Sequence, residues 1–210
     1  MKLTKYEHAC FTLEKNGQVL VVDPGSFTTD FVVPENVAAI VITHEHGDHF
    51  DPDILAAIYS KNPSSLLLAD QSVIKLLPAH PGQAVRPGET VSIGEFRLEF
   101  FGGQHASIHS SLASIANLSV LIDERLYYPG DSFYVPDVAV DTLALPVTAP
   151  WLKIGEVMDF MVAVRPRAAF PTHDAIASKI GKDLVDRLVG AAASAHGIVY
   201  SRLSGAIEIT

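Results

Sequence analysis

The chain has 210 residues, 48% of them apolar and 19% charged, enough for a filled core and too apolar for disorder. Its net charge of −9 opposes long-range attraction to nucleic acid or anionic lipid. One cysteine, Cys10, excludes an intramolecular disulfide framework and suits a reducing compartment.

The N-terminal residues carry charges where a secretory signal needs an apolar run, and no stretch approaches ~18 uninterrupted apolar residues. The expectation is a soluble, cytoplasmic protein with no membrane association. The first forty residues read as short strands, with residues 20–23 an apolar run stopped by the turn pair Pro24-Gly25. Residues 38–43 form a second buried strand that runs straight into His44. Asp51-Pro52 sets an N-cap and a proline at the first helical position, opening a helix to about Tyr59. Residues 65–69 read as a strand, and Asp70 caps a short helix ending near Pro78.

The second half repeats the theme. Residues 95–101 alternate as a half-buried strand ending at Gly102-Gly103. Segments 118–123 and 125–128 make a strand pair around a tight acidic turn, and 142–146 is a short apolar strand. Segments 155–164 and 179–193 carry helical spacing, with a strand over 168–170 between them and a closing strand over 206–209. Strands lead in each half and helices follow. The expected architecture is α/β, an αββα sandwich of two mixed sheets face to face with helices outside. No linker, low-complexity stretch or short repeat divides it, so one domain over 1–210 is expected.

The chain carries nine histidines, where about five would be usual for its length. Four candidate ligands fall in His44-Glu45-His46-Gly47-Asp48-His49. In extended backbone, residues two apart face the same way, so His44 and His46 can direct two imidazoles at one ion. Gly47 is expected to allow a sharp turn, after which Asp48 and His49 aim at a neighbouring point. Such nitrogen and carboxylate ligands suit zinc, and also manganese or iron. A zincin motif fails because position 48 is Asp, and a structural zinc site would want cysteines that the chain lacks.

On this His-x-His-x-Asp-His segment the sequence resembles the metallo-β-lactamase superfamily, and the resemblance runs over essentially the whole chain. Asp23 in Val-Asp-Pro-Gly is similar to the family's early aspartate turn. His105, after Gly102-Gly103, matches the third histidine of its first metal site, with His109 as a competitor for that role. Asp131 in Pro129-Gly130-Asp131-Ser132 matches the bridging aspartate, and His173 in Pro171-Thr172-His173-Asp174 the late histidine of the second site. The resemblance implies two divalent ions, one held by His44, His46 and His105, the other by Asp48, His49 and His173, with Asp131 between them. It implies a hydrolase in which a metal-activated water attacks the substrate, and Asp48 orients that water or moves its proton.

Tyr6-Glu7-His8-Ala9 and Tyr128-Pro129-Gly130-Asp131-Ser132 are most similar to the ascorbate-6-phosphate lactonase-like branch. That likeness implies a small anionic ester, lactone or phosphoester as substrate, and oligomeric assembly. His8, His109 and Asn117 are the candidate substrate contacts, and Trp151 is a weaker candidate for a pocket role. His80 and His196 fall in expected surface loops and receive no role. Two other readings stay open: a nucleic-acid phosphodiesterase on the same metals, and a non-enzymatic metal-binding scaffold. The −9 charge and the lack of a basic insertion oppose the first, and the intact candidate ligands oppose the second.

Overall fold

A computed structural model describes residues 1–78 and 80–209. The chain opens as an antiparallel meander of β1 (Lys2–Lys5), β2 (Phe11–Lys15) and β3 (Gln18–Val22). Asn16 and Gly17 join β2 to β3, both at positive φ, the backbone of the tight hairpin turn that suits the twist of paired strands. Next come β4 (Val37–Ile42), α1 (Pro52–Lys61), β5 (Leu66–Ala69), α2 (Gln71–Leu76) and β6 (Gly82–Ala84). Strands β3 to β6 pair in parallel, with α1 and α2 as the last two crossovers. Asp51 caps α1 as expected, its carboxylate accepting from the backbone N–H of Asp53 and Ile54.

The second sheet begins with β7 (Thr90–Ile93), β8 (Phe96–Gly102), β9 (Leu118–Ile122) and β10 (Leu126–Tyr128), each antiparallel to the one before it. It continues in parallel through β11 (Thr142–Pro146), β12 (Ala168–Thr172) and β13 (Val199–Tyr200). The crossovers after β11 and β12 carry α3 (Ile154–Val164) and α4 (Lys179–Ala195). The last strand, β14 (Ala206–Glu208), returns to pair antiparallel with β1. Among the described residues each sheet thus has seven strands, in the orders β14-β1-β2-β3-β4-β5-β6 and β13-β12-β11-β10-β9-β8-β7.

Period-two alternation decides which side chains face which layer. Leu20, Val22, Ala39 and Val41 point between the sheets, against Leu98, Phe100, Val120 and Tyr128 of the second sheet. Their neighbours Val21, Ile40 and Ile42 point outward onto Leu55, Ile58 and Tyr59 of α1. In the same way Tyr127, Leu143 and Leu145 meet Val157, Met161 and Val189 of α3 and α4. The protein is therefore the expected sandwich of two mixed sheets with helices outside. Among the described residues, no helix is long and apolar enough to cross a membrane.

Some boundaries differ from the expected ones for local reasons. Asp123 leaves its expected strand because it and Glu124 both take positive φ and form the turn between β9 and β10. Asp23 likewise lies beyond β3 in left-handed backbone. Strands β6, β7 and β13 were outside the expected segments. β6 and β13 are only three and two residues long, too short to carry a period.

Candidate metal centre

Strands β8 and β10 are both antiparallel to β9, and β10, β11 and β12 run parallel. The chain therefore leaves β8, β10 and β12 at one edge of the second sheet, delivering His105, Asp131 and His173 there. The facing sheet delivers His44 to His49 from the end of β4, and the Leu118 N–H donates to the Thr43 carbonyl to join the two edges (2.8 Å). Loops at the carboxyl ends of strands are where an open α/β sheet can place side chains without disturbing its core.

Three overlapping groups of candidate ligand atoms form, each within 4.8 Å of one another: His44, His46 and His105; His8, Asp48, His49 and His173; and His44, His49 and Asp131. Asp131 spans the first two. Its Oδ1 is 3.2 Å from His49 Nε2, and its Oδ2 is 3.4 Å from His105 Nε2 and 3.1 Å from His173 Nε2. Despite this proximity, Nε2 of His49, His105 and His173 and Oδ1 of Asp131 are buried without a hydrogen-bond partner. Four orphaned polar atoms converging on one point would be costly in a finished polar network. The same lone pairs are what a bound cation needs, so the residues fit divalent metal.

The other side of each ring explains why Nε2 faces inward. His49 Nδ1 meets Asp23 Oδ2 at 2.7 Å, His105 Nδ1 meets the Ala106 carbonyl at 2.6 Å, and His173 Nδ1 meets the Thr148 carbonyl at 2.6 Å. Each partner only accepts, so each ring donates from Nδ1 and turns its Nε2 lone pair to the cluster. Asp23 is held in turn by the Thr43 N–H, the Thr43 hydroxyl and the Tyr128 hydroxyl, at 2.8, 2.7 and 2.9 Å. Burial and the Asp23 charge keep Tyr128 protonated, so it remains a donor.

Burial pushes His44 and His46 down, which favours the neutral rings a metal requires. His49 and His173 go the other way. Burial opposes their charged forms, but Asp131 and Asp23 lift His49, while Asp131 and Asp48 lift His173 to about 9. The carboxylates respond in kind: against their own burial, the neighbouring histidines hold Asp48 and Asp131 well below the usual carboxylate range. The site thus concentrates negative charge that seeks cations.

Several sequence expectations are corrected by placement. Gly47 is not in left-handed backbone, and a Cβ there would touch nothing. The constrained glycine is Gly25, where a Cβ would overlap the backbone of Asp48 and His49. His109 sits on an exposed loop, its Nδ1 turned to Ser111 (2.7 Å), while His105 enters the cluster. Asn117 is fully buried. Its amide donates to the Pro129 carbonyl and its Oδ1 accepts the Asp131 N–H, each at 2.9 Å, an arrangement that holds Asp131 in place.

His8 is also fully buried. The Ala175 N–H donates to its Nδ1 (3.3 Å), so Nε2 carries the ring proton and donates to Asp48 Oδ2 (3.0 Å). That makes His8 a positioning residue for Asp48. Trp151, the weaker candidate, donates its indole N–H to Asp131 Oδ2 at 2.8 Å. His80 stacks on Tyr59, with ring centroids 4.4 Å apart, and His196 ends α4. Three residues close to the centre, His8, Asp23 and His173, hold positive φ without being glycine, the kind of backbone strain that clusters at functional sites.

A family model described as a beta-lactamase superfamily domain matches residues 2–173, a span that contains all the candidate ligands. Protein Rv0786c of Mycobacterium tuberculosis is 37% identical over 209 residues, covering 97% of this chain and 92% of that protein. A UPF0173 metal-dependent hydrolase of Aeropyrum pernix is 28% identical over 202 residues, with 82% and 81% covered. Among solved structures, Igni18, a metallo hydrolase from Ignicoccus hospitalis, superposes with a TM-score of 0.73 at 17% identity, covering 100% of this chain and 99% of that one. That last likeness is one of fold.

Proposed function

The chain belongs to the beta-lactamase superfamily and is a metal-dependent hydrolase, and we propose that it acts with two divalent cations on a small ester, lactone or phosphoester. The observation that carries the reading is the convergence of orphaned Nε2 and Oδ1 atoms on Asp131, between two groups of ligand side chains. His44, His46 and His105 would hold one ion, Asp48, His49 and His173 the other, and Asp131 would contact both. The histidine-rich donor set with carboxylates suits zinc, with manganese or iron as alternatives. When bound, such a pair of cations brings the pKa of a shared water towards ~7 and polarises the scissile group.

The chain's own residues set the rest. Asp48 is the more open of the two cluster carboxylates, its side chain 22% exposed. Held ionised by His173 and His8, it can accept a hydrogen bond from the attacking water and aim it, while remaining a weak proton acceptor. Asp131 is almost fully buried, and Asn117 at its N–H and Trp151 at its Oδ2 hold it in place between the two groups of candidate ligands.

The −9 charge favours a small-molecule substrate over nucleic acid or a membrane surface. The lone cysteine suits the cytoplasm. Residues 1–210 acting as one domain, in a homo-oligomer as in the lactonase-like branch, complete the proposal.

Metal-replete protein should hydrolyse at least one member of a panel of esters, lactones and phosphoesters, and Asp131→Ala should lose that turnover while remaining folded. Full activity in the variant, or none in the metal-replete wild type across the panel, would contradict the reading.

A further inference from the structure

We propose that the cavity beside His46 and His105 receives a small, uncharged, apolar group of the substrate, such as a short alkyl or acyl chain. The proposal rests on the hydrolase reading of the metal centre. The cavity holds about 220 Å³, less than the ~300–1,000 Å³ of pockets for drug-sized molecules. His46 and His105 line it together with the apolar side chains of Ile108, Leu112, Ala113 and Ile115. The remaining polar side chains lining it are the hydroxyls of Ser107 and Ser114. None of the residues lining it is Lys, Arg, Asp or Glu. A charged tail entering it would lose its hydration with no opposite charge to replace it.

The wall is tied to the centre. The His105 N–H donates to the Ile115 carbonyl at 3.0 Å, and the Ala106 N–H donates to the Asp131 carbonyl at 2.8 Å. A group in the cavity therefore has a fixed offset from atoms poised at the metal site, as a substrate needs for its scissile bond and its tail to be placed together. Ile108 and Leu112 stand 39% and 57% exposed, apolar surface that such a tail would cover.

The larger cavity of about 510 Å³ is lined by Lys15, Arg97, Asp123 and Arg125, where β2 and the β9–β10 turn end, and contains no candidate ligand. It is a charged surface hollow with no chemistry aimed into it. The anionic character expected of the substrate is accordingly confined to the scissile group, which the cations would meet.

Calorimetric titration of the zinc-loaded protein with straight-chain alkyl hydroxamates, acetyl to octanoyl, tests this. Kd should fall about fourfold per added methylene and then level off when the cavity is full. A terminal carboxylate on a chain of equal length should weaken binding at least tenfold, and Leu112→Lys should flatten the series while keeping the metal content. A flat series, preference for the terminal carboxylate, an unchanged slope in Leu112→Lys, or no hydroxamate binding would each overturn the proposal. If the series binds with the expected slope but none of the esters, lactones and phosphoesters that carry the same chains is hydrolysed, the proposed substrate class fails and the apolar pocket stands.

Discussion

Asp131 shows how much of the centre depends on groups that never meet a metal. Its N–H is taken by Asn117 and its Oδ2 by the Trp151 indole, which leaves Oδ1 directed at the His49 side of the cluster. Partners of this kind fix a ligand's orientation, and their removal commonly costs about 10–100-fold in metal affinity or activity. Trp151→Phe keeps the ring packing against Phe133, whose centroid is 4.9 Å away, and deletes the N–H. The variant should fold normally yet bind zinc about 10–100-fold more weakly in a chelator competition; wild-type affinity would remove Trp151 from the site. The candidate ligands His44, His46, Asp48 and His49 are legible in the sequence because their spacing is local. Trp151, Asn117 and His8 reach the centre only through tertiary folding, across 20, 14 and 40 residues to Asp131 or Asp48. No local pattern separates such contacts from ordinary core positions.

At the scale of elements, the turn after β3 and the ligand loop after β4 act as one unit. The Ser26 N–H donates to the Gly47 carbonyl at 2.8 Å, and the Asp51 N–H to the Pro24 carbonyl at 3.0 Å. Gly25 lies where any side chain would strike the backbone of residues 48 and 49. Gly25→Ala should cost about 1–3 kcal/mol by overpacking and lower the metal content, read by urea unfolding and metal analysis. Wild-type values in both would show that the loop can yield. The turn between β1 and β2 holds Cys10, fully buried, its thiol pushed up from 9.0 to about 12 by burial. Above pH 9 the unfolded chain gives up this proton and the native fold keeps it, so the contribution present at lower pH is lost between pH 9 and 12. Cys10→Ala should therefore lose less stability than wild type across that window in urea titrations; parallel curves would refute the linkage. The long buried strands were legible from their apolar runs, and α1 from its cap. Strands β6 and β13 exist only because a neighbouring strand offers an edge.

Across the whole molecule, two seven-stranded sheets share one apolar core and present their ligand-bearing loops at a common edge. The core places that edge, and the polar groups there remain unfinished in hydrogen-bonding terms. Asp131 lies between two groups of candidate ligands contributed by both sheets, so the fold's two halves meet at the residue on which the proposed two-ion centre would turn. Metal analysis of the purified protein after removal of bound ions and reloading with zinc, manganese or iron tests that claim most directly. Two ions per chain are expected with at least one of these metals, falling to one or fewer in Asp131→Ala. Saturation at a single ion with every metal, or two ions retained at wild-type affinity without Asp131, would contradict it.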